Sequence, residues 1–349
     1  MKKTKIGGQA VLEGVMMKGS HNIAIAVRRP DGQILVKSKD IKPPEQRSWF
    51  LKLPVVRGVV AFIDAMVLGV SSLTTSAELY GEEEQDYQPS KFEQFLASKL
   101  KLDAQDVMIF MAVAIAIGLA ILMFIVVPTF LTSLLRNWLV AAGYLSIVEG
   151  VIRLGIFLLY IIAISRLKDI KRVFEYHGAE HKVIHCFEHE EPLTVDNARK
   201  FVTLHPRCGT NFLLIVMVIS ILVFSLLGWD DIISRIVSRV ILLPVVSGLA
   251  YEVIRWAGNS DSRLVKIISY PGLMLQKLTT RQPDDSQLEV AITAFNNVLI
   301  RREEGIDENQ NQVVGSHQAG AADAGAGGHN HRSAGCSAAD VSCTEKIQE

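Results

Sequence analysis

Cysteine is scarce in this chain, four among 349 residues. Cys336 and Cys343 sit near the C-terminus, while Cys186 and Cys208 lie beside histidines, a pattern that fits free thiols or metal ligands in a reducing compartment rather than a disulfide framework. Surplus charge is absent too: 36 Lys and Arg stand against 36 Asp and Glu, so the total gives no sign of a nucleic-acid partner, and none is expected. The glycine-rich start, Gly7-Gly8-Gln9-Ala10-Val11-Leu12-Glu13-Gly14, lacks both the Lys-Ser/Thr of a phosphate loop and the spacing of a dinucleotide fingerprint, which argues against nucleotide binding. That stretch suits turns and close packing, with Glu13 a candidate for a site. KKTKIGGQAVLEGVMMKG begins basic but has no apolar core long enough for a cleavable signal, so the N-terminus is expected to stay where it is made. No internal repeat is present.

What the chain has in plenty is apolar sequence, with a mean hydropathy of +0.28 and 49% hydrophobic residues. VMIFMAVAIAIGLAILMFIVVPTFL, starting at Val107, carries no charge, and ~20 such residues at 1.5 Å rise cross ~30 Å of hydrocarbon. Leu145 to Ser165, Phe212 to Gly228 and Val240 to Ala257 resemble it, giving about four transmembrane helices. Leu53 to Leu79 is also helical in pattern, with Arg57 and Asp64 on one face and only Asp64 interrupting Gly58 to Leu73. A fifth span there would carry the basic loop from Arg166 to Arg207 to the outside. The positive-inside rule therefore favours four spans with an interfacial helix over 58–77, and cytoplasmic N- and C-termini.

Around these spans the expected fold is mainly α, a polytopic helical bundle in the cell membrane with a small N-terminal α+β region. Ile23, Ile25 and Val27 alternate before Pro30-Asp31-Gly32 and QILVKSK, which predicts a β-hairpin within residues 1–103. Transmembrane helices 1 and 2 fall in 104–165, a cytoplasmic His-rich helix and HPRCGT turn in 166–210, helices 3 and 4 in 211–257, and a cytoplasmic helical segment in 258–304. Residues 305–349 are rich in Gly, Ala and Ser and predict a disordered, solvated tail, His329 and His331 included. The lipid bilayer is the one partner the sequence names; protein partners are not legible.

Chemistry concentrates in YHGAEHKVIHCFEHEE, with His177, His181, His185 and His189 four residues apart. Four residues advance a helix by ~40° beyond a full turn, so His177 and His181 share an edge, His185 stands near it, and His189 has drifted by ~120°. Tyr176, Val183, Ile184 and Phe187 give the helix an apolar side, and Pro192 ends it. His177-Gly178-Ala179-Glu180-His181 also matches H-x-x-E-H, in which two imidazoles hold a zinc ion and the glutamate activates water. His205-Pro206-Arg207-Cys208 offers further ligands on the same side of the bilayer, although such a turn also caps a membrane helix. Glu252, near the end of a span, needs a partner at that depth: a cation, or Arg255 three residues on. Glu149 and Arg153, at i and i+4, most simply neutralise each other.

GGQAVLEGVMMK, YHGAEHK, HPRCGTNF, PVVSGLAYE and YPGLMLQKLTTRQPDDSQLEVAI, in this order from about Lys5 to Ile300, resemble the YqhQ-like family. That family comprises bacterial multi-pass membrane proteins labelled as predicted metal-dependent enzymes, so the resemblance implies a metal site. Its pattern falls on Glu13, His177, Glu180, His181, His205, Cys208, Glu252 and Thr279-Thr280-Arg281. The family's usual glutamate is replaced by Gln282 here, which removes a ligand or base at that position. The expectation is a metal-dependent hydrolase facing the cytoplasm: His177 and His181 hold a divalent ion, zinc by ligand type, a third ligand comes from His205, Cys208 or Glu252, and Glu180 is the catalytic base. The alternative is a non-enzymatic scaffold or transport-associated protein with a closed structural site, which four protein ligands would signal. A transporter proper would need more polar residues along its spans than Glu149, Arg153 and Glu252.

Overall fold

A computed structural model describes residues 4, 6–41, 48–81, 90, 94, 98–99, 104–135, 142–227, 232–258, 262–304 and 312–314, all within the compact unit of residues 1–315. The expected hairpin is present as β3 (Asn22–Arg28) and β4 (Ile34–Asp40), antiparallel with Ala26 opposite Val36. Two strands precede it, β1 (Gly7–Val11) and β2 (Gly14–Lys18), joined by a two-residue turn in which Glu13 takes a positive φ of 46°. A short β5 (Gln312–Val314) extends the antiparallel order β1-β2-β3-β4-β5, so these three residues depart from the disordered tail the composition predicts. His329, His331 and the rest of the tail lie outside the described residues.

Ten helices are described. They are α1 (Val56–Tyr80), α2 (Ala104–Ile121), α3 (Val127–Leu135), α4 (Ala142–Ile164), α5 (Lys168–Glu188), α6 (Val195–Arg199), α7 (Thr210–Ser225), α8 (Ile232–Gly258), α9 (Arg263–Thr279) and α10 (Asp285–Glu304). The sheet is covered on both faces, which explains why β3 is buried along most of its length instead of alternating. Val15, Met17, Ala24, Ala26 and Val36 meet Tyr176, Ala179 and Val183 of α5 and Leu288, Ala291 and Phe295 of α10. Small side chains at Ala24 and Ala26 leave room for these two helices to lie close. On the opposite face Val11, Met16, Ile23, Ile25 and Val27 pack against Leu68, Leu79 and Tyr80 of α1. The histidine helix and the C-terminal helix therefore share one core with the N-terminal sheet.

Four helices are long and apolar enough to cross a membrane: Val56–Tyr80, Val107–Leu135, Leu145–Ile164 and Ile232–Ala257. The count agrees with the sequence but the membership differs. Thr210–Ser225 is shorter, about 24 Å at 1.5 Å per residue, while α1 qualifies. Its second half nevertheless rests on the sheet, and the Leu12 amide donates to Ser76 Oγ at 3.3 Å.

Inside the bundle, a π-helical turn, Leu122–Val126, joins α2 to α3. Pro128 has no amide proton for the Phe124 carbonyl one turn earlier, and Arg153 Nε takes that carbonyl at 2.8 Å. Arg153 also pairs with Glu149 at 2.8 Å, as the spacing predicted, but Glu149 has a second partner, Arg239 of α8. Thr129 donates to Glu149 at 3.2 Å, and Arg153 to Ser220 of α7 at 3.2 Å. One carboxylate and the two guanidinium groups it holds thus tie four helical segments together.

Replacing Glu149 with Leu should leave two buried guanidinium groups without their carboxylate, at a cost of about 3–5 kcal/mol. The measurement is the melting temperature of the detergent-solubilised chain. Combining Glu149→Leu with Arg153→Met and Arg239→Met is expected to restore most of the loss, because burying no charge at all removes the penalty; a single variant as stable as the parent would show that the pairing is not what holds these helices.

Candidate metal centre

Helix α5 runs out from the end of α4 and stops where His189 and Glu190 leave the helical conformation, Glu190 with φ 62°, just before Pro192. The chain then folds back along its own histidine face. Lys182, itself buried, donates to the carbonyls of Arg199 at 2.8 Å and Phe201 at 2.6 Å, which pins that return. As a result the carbonyls of residues 203 and 204 point at the imidazoles.

His177 Nδ1 lies 2.8 Å from the Thr279 carbonyl, and His181 Nδ1 makes a short hydrogen bond to the Thr203 carbonyl. A carbonyl only accepts, so in each neutral ring the proton sits on Nδ1 and the Nε2 lone pair is left free to bind. His177 Nε2 is 3.1 Å from Cys208 Sγ. His181 Nε2 is buried with no hydrogen-bond partner, and the two rings are 4.4 Å apart centre to centre. These three side chains bring one donor atom each within 4.8 Å of one another. An orphaned basic nitrogen, a second oriented in the same way and a thiol form the borderline-soft donor set that zinc takes, so the residues fit a divalent ion.

A second convergence lies along the same face. His185 Nε2 is 2.9 Å from the Leu204 carbonyl, which leaves Nδ1 as its basic nitrogen. His205 Nε2 and Glu188 Oε2 are 3.5 Å apart, and His185, Glu188 and His205 again present donors within 4.8 Å of one another. Burial pushes His205 down to about 3, helped by the neighbouring His185 and His181, and lowers His185 as well. For Glu188 burial works the other way, but the Thr4 amide and Arg207 outweigh it and hold the carboxyl below its ordinary range. Sequence reasoning missed Glu188. Eleven residues are three turns plus about 20°, so Glu188 returns to the edge of His177 while His189 does not; that spacing was the available signal. Also unforeseen was buried Gln276 of α9, whose side chain bonds the His205 amide and carbonyl, each at 2.8 Å, and fixes the turn that carries Cys208.

The other candidates lie outside both donor groups. Glu252 is held at both oxygens by Arg57 of α1, with the Nε contact at 2.6 Å, and Arg255 acts on it only through its charge. Glu13 pairs with Arg172 and receives the Tyr176 hydroxyl at 3.3 Å. Neither joins a donor group among the described residues. Glu180 is buried on the sheet side of α5, where a Cβ on Gly8 would meet its Cδ at 2.9 Å. Burial raises its carboxyl to about 7, against the pull of His177 and the Gly8 amide. Gly178 explains how Thr279 reaches the site: a Cβ there would lie 2.0 Å from the Arg281 carbonyl oxygen.

Residues 53–301 match a family described as "Protein of unknown function (DUF1385)". The chain is also 38% identical over 309 residues to the uncharacterized protein YqhQ of Bacillus subtilis (strain 168), covering 87% of this chain and 95% of that protein. It belongs to this family. No solved structure matches the chain. Three of the segments that carry the resemblance meet at one place: YHGAEHK supplies the imidazoles, HPRCGTNF the thiol and His205, and LTTRQ the carbonyl that orients His177.

A carboxyl raised in the folded state favours the folded chain fully below its unfolded value, and that contribution is lost as pH climbs through the folded value. For Glu180 the window runs from 4.5 to about 7. In metal-free protein, Glu180→Gln is therefore expected to gain stability relative to the parent across this window and to hold a constant lead above it, up to about 3 kcal/mol. Melting curves that stay parallel from pH 4 to 8 would contradict this.

Proposed function

We propose that the protein is an integral membrane metal-dependent hydrolase whose site faces the cytoplasm, with His177, His181 and Cys208 holding a zinc ion. The observation that carries the reading is the convergence of two imidazoles and a thiol with no fourth donor in their group among the described residues. Three protein ligands leave a coordination position for a reactant, whereas a structural site would use all four. When bound, the ion supplies Lewis acidity to an amide or peptide carbonyl and its attacking water. The chain's own residues would do the rest: Thr203 and Thr279 hold the imidazole tautomers, Gln276 fixes the turn, and Glu180, whose carboxyl feels the charge of His177 from outside the donor group, would take and return the proton.

In this reading α2–α3, α4, α7 and α8 cross the bilayer. Because the sheet, α5 and α10 share one core, the chain must cross an even number of times between them, and two crossings fall in each interval if α1 lies in the interface. Exposed Ile63, Met66 and Val67 on α1 then face lipid. The basic residues of the 166–207 loop support a cytoplasmic location for this side.

Cobalt substitution tests the site. The full chain loaded with Co²⁺ should show a thiolate-to-cobalt charge-transfer band that disappears in Cys208→Ser and in a His177/His181 double alanine variant. Glu180→Gln should keep the band and lose hydrolysis of whatever amide substrate the parent turns over. Absence of the band in the folded parent would end the proposal.

A further inference from the structure

We infer that the chain holds a second divalent cation, at His185, Glu188 and His205, making the centre a two-cation site. The inference deepens the reading above, but its donors are separate: none of the three belongs to the His177, His181 and Cys208 group.

Two unpartnered atoms carry it. His205 Nε2 and Glu188 Oε2 are both buried and without hydrogen-bond partners, on side chains 5% and 0% exposed. Leaving two polar atoms dry and unpaired is costly. Their 3.5 Å separation is too long for a good hydrogen bond. It is close to the edge of a tetrahedral site, where donors about 2.1 Å from an ion lie about 3.4 Å apart. His185 completes a two-nitrogen, one-oxygen set suited to zinc, manganese or ferrous iron.

The surroundings favour a cation over a bare ion pair. Glu188 Oε1 accepts from the Thr4 amide at 2.9 Å and pairs with Arg207, which leaves Oε2 beside His205. The Leu204 carbonyl fixes the His185 tautomer with Nδ1 basic. On His205, the Arg207 amide approaches Nδ1 at 3.3 Å, so loading Nε2 requires the ring proton to move to Nδ1 and this contact to open. At that length it is a weak restraint. The two donor groups adjoin through His181 and His205, whose ring centres are 5.7 Å apart.

The test is metal content of the full-length chain in detergent, equilibrated with Zn²⁺, desalted and measured by mass spectrometry, beside a Co²⁺ titration. We expect two ions per chain. The sulfur charge-transfer band should saturate with one equivalent while ligand-field absorption grows to two, since the second site has no sulfur. Glu188→Gln should drop the count to one and leave the band intact. His185→Gln, which keeps a donor for the Leu204 carbonyl, should do the same and covers the case in which Glu188→Gln does not fold. His177→Ala should leave one ion and no band. A parent with a single ion that is lost in His177→Ala and kept in both other variants overturns the second site while sparing the proposed function. A single ion kept in His177→Ala and lost in His185→Gln supports the second site and overturns the first, and a folded parent with no ion overturns both.

Discussion

Burying a row of imidazoles is what this protein is organised around. A ring removed from water brings an N–H that needs an acceptor, and for His177, His181 and His185 three backbone carbonyls, of Thr279, Thr203 and Leu204, supply it. Two come from the return of the chain after α5 and one from the end of α9. Lys182, Gln276 and Gly178 all serve to bring those carbonyls in. The outcome is directional, because satisfying the N–H on one side of a ring commits the lone pair on the other. His177 Nε2 is thereby turned to Cys208 with His181 alongside, and His185 gathers with Glu188 and His205.

The second constraint is the bilayer. The site rides on helices flanked by apolar segments, and their mutual placement depends on one buried carboxylate, Glu149, set between Arg153 and Arg239. In a medium without water such a network has few alternative arrangements, so it fixes rotation and depth of the helices it joins. At the surface, the Arg57–Glu252 pair fastens α1 to α8, while the far half of α1 lies on the sheet. Membrane bundle and sheet unit are thus linked by α1 on one side and by α5 and α10 on the other.

Much of this was legible. Periodicity and length gave the helices, alternation around Pro-Asp-Gly gave the β3–β4 hairpin, and the four-residue spacing of His177 and His181 gave a shared edge. Strands β1 and β2 were hidden in a glycine-rich stretch: β2 is buried on both faces, so no alternation survives there, and β1 begins with Gly7 and Gly8, which have no side chains to alternate. Arg239 does not stand out in the sequence because it sits directly before the apolar run that starts at Val240. Glu13 and Glu252 looked like ligands because an acidic group at a structured position needs a partner, and the partners, Arg172 and Arg57, lie 159 and 195 residues away in sequence.

Sequence by itself determined which segments are apolar enough to leave water and which side chains share a helical edge, because both depend only on composition and the 3.6-residue turn. Only the tertiary structure decided that Glu13 and Glu252 meet arginine while Glu188 stands between Arg207 and His205. It also decided that Cys208 rather than Glu252 stands beside His177, and that Glu188 completes the far end of the stripe. Those choices turn on which distant backbone carbonyl reaches each ring, and local spacing carries no record of that.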